Sequence, residues 1–376
     1  MGENICLISL CHDTKKFNIE TDIDGIKQIQ FPAIPGFLVL PYTVIDKFLR
    51  LYINDSPENV FLFQHTPCEM LVKTISISFP LSKIAFVIHD MTWTSAMFGD
   101  ESALKKYVIT ENWELFENEF PDIFSRFNEE KRMYDTVHRI AALSKDTVKL
   151  LQSVYRIPEE KISFIPNGIN DTFLSLSANE KNQLKKKQFI PLREKIIVFA
   201  GRVTNMKGIF HVINSLKEVV KTHPDFRLIV VGTIFEVKKL LKHTSEIAPK
   251  ITFTGQISKE KLNEWYRIAD IGVLASFSEQ CSYTGIEMMM SGLPVIASDG
   301  FGVGCMFSDN VNAKIARIGN RNRYEEFEHN LSEAFLQLLQ SNDLRKKLGV
   351  NGRKIYESKY RIEYMQTGYQ RFVDSL

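Results

Sequence analysis

The stretch KIIVFAGRVTNMKGIFHVINSLKEVVKTH, residues 195–223, decides the fold. Its first part, KIIVFAG (195–201), is a nearly continuous apolar run instead of an alternating one. Such a run predicts a strand covered on both faces, as in a parallel sheet. From Gly208 to His223 the apolar residues recur at helical spacing. A strand thus passes through a short polar turn into a helix, and the same unit recurs downstream. Strands are expected at 226–233, 251–255, 271–276 and 294–298, with helices at 258–269 and roughly 283–291.

Upstream the rhythm is looser. Strands are expected at 4–10, 60–65, 83–90, 139–144 and 161–167, with helical stretches such as 42–53 and 145–155. Two βα-alternating halves imply an α/β chain of two Rossmann-like, doubly wound domains facing a cleft. The expected boundaries are 1–185 for the first domain and 186–355 for the second. A C-terminal helix within 356–376 is expected to pack back on the first domain. LSANEKNQLKKKQFIPLREK (176–195), polar and Lys-rich with one proline, reads as the linker, and its three lysines at 185–187 as a solvated face.

A chain of 376 residues exceeds what one core usually serves. Its net charge of +2 lacks the basic excess of a nucleic-acid binder. Five cysteines, scattered and without a CxxC pair, suit a reducing cytoplasm, which is the expected location. MGENICLISLCH at the start lacks the basic segment and long apolar run of a secretory signal, and Cys6 stands where a myristoylation motif needs Ser or Thr. Membrane contact is expected to be peripheral at most.

Two places carry chemistry. In FAGRVTNMKGI (199–209), Arg202 and Lys207 sit at a strand-to-helix junction, where free backbone N–H groups favour anions. Two cations there suit a diphosphate; two exposed basic residues on a loop are the plain alternative. In SEQCSYTGIEMMMSGLPVIASD (278–299), Glu279 follows a strand, Ser282 is a candidate N-cap, and Glu287 lies about one turn inside the helix. Carboxylates accept from vicinal hydroxyls, so both acids could read a ribose or a hexose, with the amides of residues 281–284 offered to phosphate or sugar oxygens. The alternative makes Glu279 a favourable N-terminal charge and Glu287 a surface one. His12, Asp13 and His65 follow strands and are candidates for the cleft, with loop polarity or a structural role as the rival reading. Met288 to Met290 belong in a core.

Taken together, E-x7-E followed by GLPVIASD, a GR…KG turn upstream, FTGQISKEKLNEWYRIADIGVLAS, SKDTVKLLQSVYRIPEEKISFIPNGIND and VIHDMTW resemble the retaining family-4 glycosyltransferases of the GT-B fold. The resemblance runs over roughly 80–376. It implies that Arg202 and Lys207 clamp a donor diphosphate and that Glu287 holds the ribose. Glu279 would meet the transferred sugar or support an oxocarbenium-like centre. Gly255 and Gln256 would read the base through their backbone, and His89 would reach the donor sugar or acceptor across the cleft. Ser282, Tyr283 and Thr284 would contribute amides and side chains to the donor. Asn167 and Gly168 match the family's NG turn, a structural feature.

The donor implied is a nucleotide diphosphate sugar, a UDP-sugar foremost. The acceptor would be a glycan, a lipid-linked molecule or a peptide, and no cofactor or metal site is implied. Oligomeric state is left open. Two departures stand out. The first loop, CHDTKKFNIETDIDG, lacks the family's glycines until Gly25, and EQCSYTGIE lacks the usual glycines between the two acids. HDMTW, EEKRMYDTVHRIAALSKDT and EQCSYTGIEMMM look like a Bacteroides-group branch associated with peptide-maturation clusters. The rival functions are a GT-B sugar-nucleotide epimerase and a catalytically silent nucleotide-sugar-binding module.

Overall fold

The computed structural model describes residues 5–12, 16–21, 25–32, 41–65, 68–321 and 323–376, without the side chains of Cys11, His12 and His65. Asp13 and the side chains of His12 and His65, candidates for the cleft, therefore lie outside the described residues, as do parts of the glycine-poor first loop.

In the first half a three-stranded sheet holds β1 (Cys6–His12), β2 (Asn18–Thr21) and β3 (Lys27–Pro32) in the order β1-β3-β2. β3 runs parallel to β1 and antiparallel to β2. A four-stranded parallel sheet follows: β4 (Val60–His65), β5 (Lys83–Ile88), β6 (Arg139–Ala142) and β7 (Ile162–Phe164), in that order. The second half is one six-stranded parallel sheet of β8 (Lys195–Ala200), β9 (Phe226–Val231), β10 (Ile251–Gly255), β11 (Ile271–Leu274), β12 (Val295–Ser298) and β13 (Ala313–Ala316). Its order is β10-β9-β8-β11-β12-β13, so the direction of winding reverses between β8 and β11. These are two Rossmann-like units, the GT-B architecture.

Period-two alternation explains why β8 is apolar from Ile196 to Ala200. Ile196, Val198 and Ala200 join the core that contains the helix Tyr283–Met290, whereas Ile197 and Phe199 face the helix Ile209–Thr222. The helices after β8 and β11 therefore cover opposite faces of the sheet. Burying each large aliphatic side chain of such a strand contributes roughly 1.5–3 kcal/mol.

Three expectations are corrected. β2, β3 and β13 were not foreseen; NIET and KQIQFP are too polar to stand out from a loop. The segment 176–195 is not a plain linker, because Ala178–Lys187 is helical. Its start is a capping box: Ser177 Oγ accepts from Glu180 N, and the Glu180 carboxylate accepts from Ser177 N. Nor are its three lysines all solvated. Lys186 and Lys187 are exposed, but Lys185 is buried and donates to the Glu194 carbonyl at 2.9 Å.

After β13 come the helices Glu325–Gln340, Asn342–Lys359 and Ile362–Asp374. The last lies against the first unit: Ile169 bonds the backbone on both sides of Arg361, at 3.0 Å to Tyr360 O and 3.0 Å from Ile362 N. The Phe372 ring sits 6.0 Å from the Arg139 guanidinium. Arg353 adds a polar clasp, donating to the Met290 carbonyl at 2.6 Å and to both carboxylate oxygens of Asp171. Arg353→Ala should cost about 1–2 kcal/mol of stability, a charge-assisted bond discounted for partial exposure. Chemical denaturation of Arg353→Ala, Asp171→Ala and the double variant checks it. Losses that fall short of additive by most of that amount are expected.

Candidate active site

An open cavity of about 220 Å³ lies at the carboxyl ends of β8 and β11. Phe199, Ala200, Gly201 and Lys207 form one wall, and Leu274, Ser276, Glu279, Ser282, Tyr283 and Thr284 the other. This is the point where the winding reverses, and the reason it is hollow is geometric. Chains leaving neighbouring strands for opposite faces part from each other and leave a crevice.

Lys207 reaches this crevice because the turn after β8 folds tightly. Gly208 has φ +70°, and a Cβ there would lie 2.1 Å from the Ala275 carbonyl oxygen. Only glycine lets the turn come this close to the end of β11. The Lys207 ammonium then donates to Glu279 Oε1 at 2.5 Å, and Ser276 Oγ donates to the same oxygen at 2.8 Å. Across the cavity Ser282 caps the helix Tyr283–Met290, its Oγ accepting from Gly285 N at 3.3 Å. The first intrahelical bond runs from Ile286 N to Ser282 O. That leaves the amides of Tyr283 and Thr284 as unpaired helix-terminal donors in the cavity wall.

The other candidates are not gathered there. Arg202 immediately follows Gly201, but its side chain is exposed at the rim. Glu287 is buried and turned toward the helix Lys259–Ile268, accepting from the Tyr266 hydroxyl at 3.2 Å with the Lys259 ammonium 3.7 Å away. Burial pushes its carboxyl above the usual range, against the pull of Lys259 and Tyr266. The two acids therefore do not share one ligand-free cavity. Gly255 and Gln256 lie on the same sheet edge two strands away, where Gly255 O accepts from Gly232 N at 2.9 Å. Among the described residues, no group of three or more His, Cys, Asp and Glu gathers to hold a metal.

His89 is partly buried just beyond β5 in the first unit. Asp90 shapes the turn that follows, its Oδ1 accepting from Met91 N and Thr94 Oγ1, each at 2.9 Å. The turn delivers Trp93 edge-on to Phe301 of the second unit, with ring centres 5.1 Å apart.

Below this turn is an acid that the sequence reading missed. Glu130 is fully buried, accepting from Thr92 N at 2.7 Å and from the Tyr155 hydroxyl at 2.5 Å. Its only outward sign is a place in a charged string, NEEKRMYD, on a helix whose other side is apolar. Desolvation raises its pKa to about 7, more than its two donors lower it, with Asp90 adding to the rise. A carboxyl whose folded pKa lies above its unfolded value near 4.5 holds its proton in the folded chain while the unfolded chain has lost it. The fold therefore loses stability as pH rises from about 4.5 to about 7. Glu130→Gln removes that dependence, so the melting point of the variant minus that of the wild type should grow from pH 5 to pH 8; a constant difference across that range would contradict it.

Comparison with known proteins bears on the fold and on the second unit. Residues 180–355, nearly half of the chain, match the family model described as glycosyl transferases group 1. An uncharacterized glycosyltransferase of Methanocaldococcus jannaschii is 28% identical over 178 residues, 46% of this chain and 45% of that protein. A D-inositol 3-phosphate glycosyltransferase of Xylanimonas cellulosilytica is 23% identical over 246 residues, 60% of this chain and 58% of that protein. The chain thus spans about half the length of these curated relatives. Among solved structures, a sucrose-phosphate synthase from Thermosynechococcus elongatus superposes with a TM-score of 0.74 at 17% identity, covering 99% of this chain and 90% of that one. Anabaena HepE in complex with UDP-glucose gives 0.68 at 15% identity, covering 93% and 86%. Residues 180–355 are a glycosyl transferases group 1 domain, carried in a chain of GT-B fold.

Proposed function

We propose that the chain is a retaining glycosyltransferase that moves a hexose from a nucleotide diphosphate sugar to a glycan, lipid-linked or peptide acceptor. The observation that carries this reading is the cavity between β8 and β11, lined by Lys207, Glu279 and the first turn of the helix Tyr283–Met290, whose first amides have no intrahelical partner. Transfer from a nucleotide sugar expels a diphosphate, and donors fixed in advance around that anion lower the barrier. Lys207 and the amides of Tyr283 and Thr284 supply them, and Arg202 folds in from the rim. The cavity, about 220 Å³, has room for a diphosphate but not for a whole donor. The nucleoside then runs along the sheet edge, with Glu287 near the ribose and Gly255–Gln256 at the base. Glu279 supports the sugar end, and His89 approaches from the first unit.

The Lys207–Glu279 pair gives the site a ligand-free state in which each charge is already compensated. A diphosphate competes with Glu279 for the ammonium, which frees the carboxylate to accept from sugar hydroxyls as the donor enters. A UDP-sugar is the first choice of donor, supported by the likeness in fold to a neighbour solved with UDP-glucose.

Calorimetry with UDP-, GDP-, ADP- and dTDP-sugars, coupled to a search for transfer products, tests the reading. At least one donor should bind, and Lys207→Ala should weaken it by about 1.5–3 kcal/mol through loss of a charge-assisted bond. No binding by any of the four would overturn the reading. Conversion of a bound donor to its epimer without acceptor would point instead to an epimerase.

A further inference from the structure

The loop that carries Glu279 is held from two sides, and the sides belong to different units. Within the second unit, Phe277 N donates to Met206 O at 2.9 Å and Glu279 N to Phe301 O at 2.9 Å. The next two residues are gripped from the first unit. Thr147 Oγ1 donates to the side-chain oxygen of Gln280, and Asn167 Nδ2 donates to the Cys281 carbonyl at 2.7 Å. Cys281 directly precedes Ser282, the cap of the helix whose first two residues line the cavity.

Asn167 is itself anchored. It is buried, and the chain just after it is bound to the C-terminal segment, with Gly168 N donating to Met365 Sδ at 3.3 Å and Ile169 paired with Tyr360 and Ile362. A line of hydrogen bonds therefore runs from the C-terminal helix through Asn167 to the carbonyl that precedes the helix cap.

We propose that Asn167 is a positioning residue: its amide donor fixes the Cys281 carbonyl and thereby aims the Tyr283 and Thr284 amides and Glu279 into the cavity. This rests on the reading of that cavity as a diphosphate site. Asn167, a residue of the first unit, then contributes to donor binding without itself touching the donor. The consequence is specific, because what matters is a donor at this position and not the volume it fills.

The test is calorimetric titration of UDP, GDP and ADP into the full chain, with the melting point measured in parallel. Whichever diphosphate the wild type binds most tightly is used for the variants. Asn167→Ala deletes the donor, and Asn167→Asp keeps the size but sets a carboxylate oxygen against the carbonyl. Both should weaken binding by at least about fivefold, with Asp no better than Ala. Ser332→Ala, which removes a buried 3.1 Å bond to Ser215 O between two helices remote from the loop, should lower the melting point and leave the dissociation constant unchanged. A folded Asn167 variant with the wild-type constant, or an Asp variant that keeps it while Ala loses it, overturns the proposal. If neither Asn167 variant folds, Thr147→Val decides in the same way: a weakened constant supports the inference and an unchanged one overturns it. A wild type that binds none of the three diphosphates refutes the underlying site, and the inference falls with it.

Discussion

Everything in the second unit follows from the parting of two neighbouring strands. β8 and β11 lie side by side, yet the helices that follow them cover opposite faces of the sheet. The backbone cannot close over the gap, so the sheet edge keeps a hollow lined by turn residues and a helix N-terminus. Placing Lys207 there requires Gly208, because any side chain at 208 would strike the end of β11. Glu279 sits there on a loop whose backbone is held elsewhere, Phe277 N by Met206 O and Glu279 N by Phe301 O.

Those bonds tie the two units together. Trp93 meets Phe301, Asp146 accepts from Gly302 N at 3.1 Å, and Arg321 donates to the Phe98 carbonyl. Thr147 and Asn167 add their bonds to Gln280 and Cys281. Apart from that of Arg321, these contacts fall on the segments 280–281 and 301–302, next to the Glu279 and Ser282 that line the cavity. The cleft is therefore a joint whose two sides define one loop, and no helix is long and apolar enough among the described residues to cross a membrane.

Much of this was legible in the sequence, and the reasons differ by element. β8, β9 and β11 announce themselves because parallel strands buried on both faces are apolar nearly throughout, with Lys195 and Arg227 only at or near the strand starts. Ser282 as a cap and Met288 to Met290 as core follow from spacing alone, and all four are buried as that spacing requires. What stayed hidden depends on neighbours distant in the chain. β2 and β13 are four residues each, and β2 and β3 are polar, so only their partners make them strands. Glu287 turns away from Glu279 because Tyr266 and Lys259, on the preceding helix Lys259–Ile268, offer it donors. Glu130 looks like one more surface acid until Thr92 and Tyr155 are seen to converge on it. Asn167 was visible as a motif, but its bond to a carbonyl 114 positions away was not.

The central claim is that a diphosphate enters the crevice between β8 and β11. Hydrogen exchange with and without a bound nucleoside diphosphate measures this directly. The account predicts slowed exchange at the Tyr283 and Thr284 amides and in the 201–208 turn. Binding that leaves those amides and that turn unchanged would contradict it.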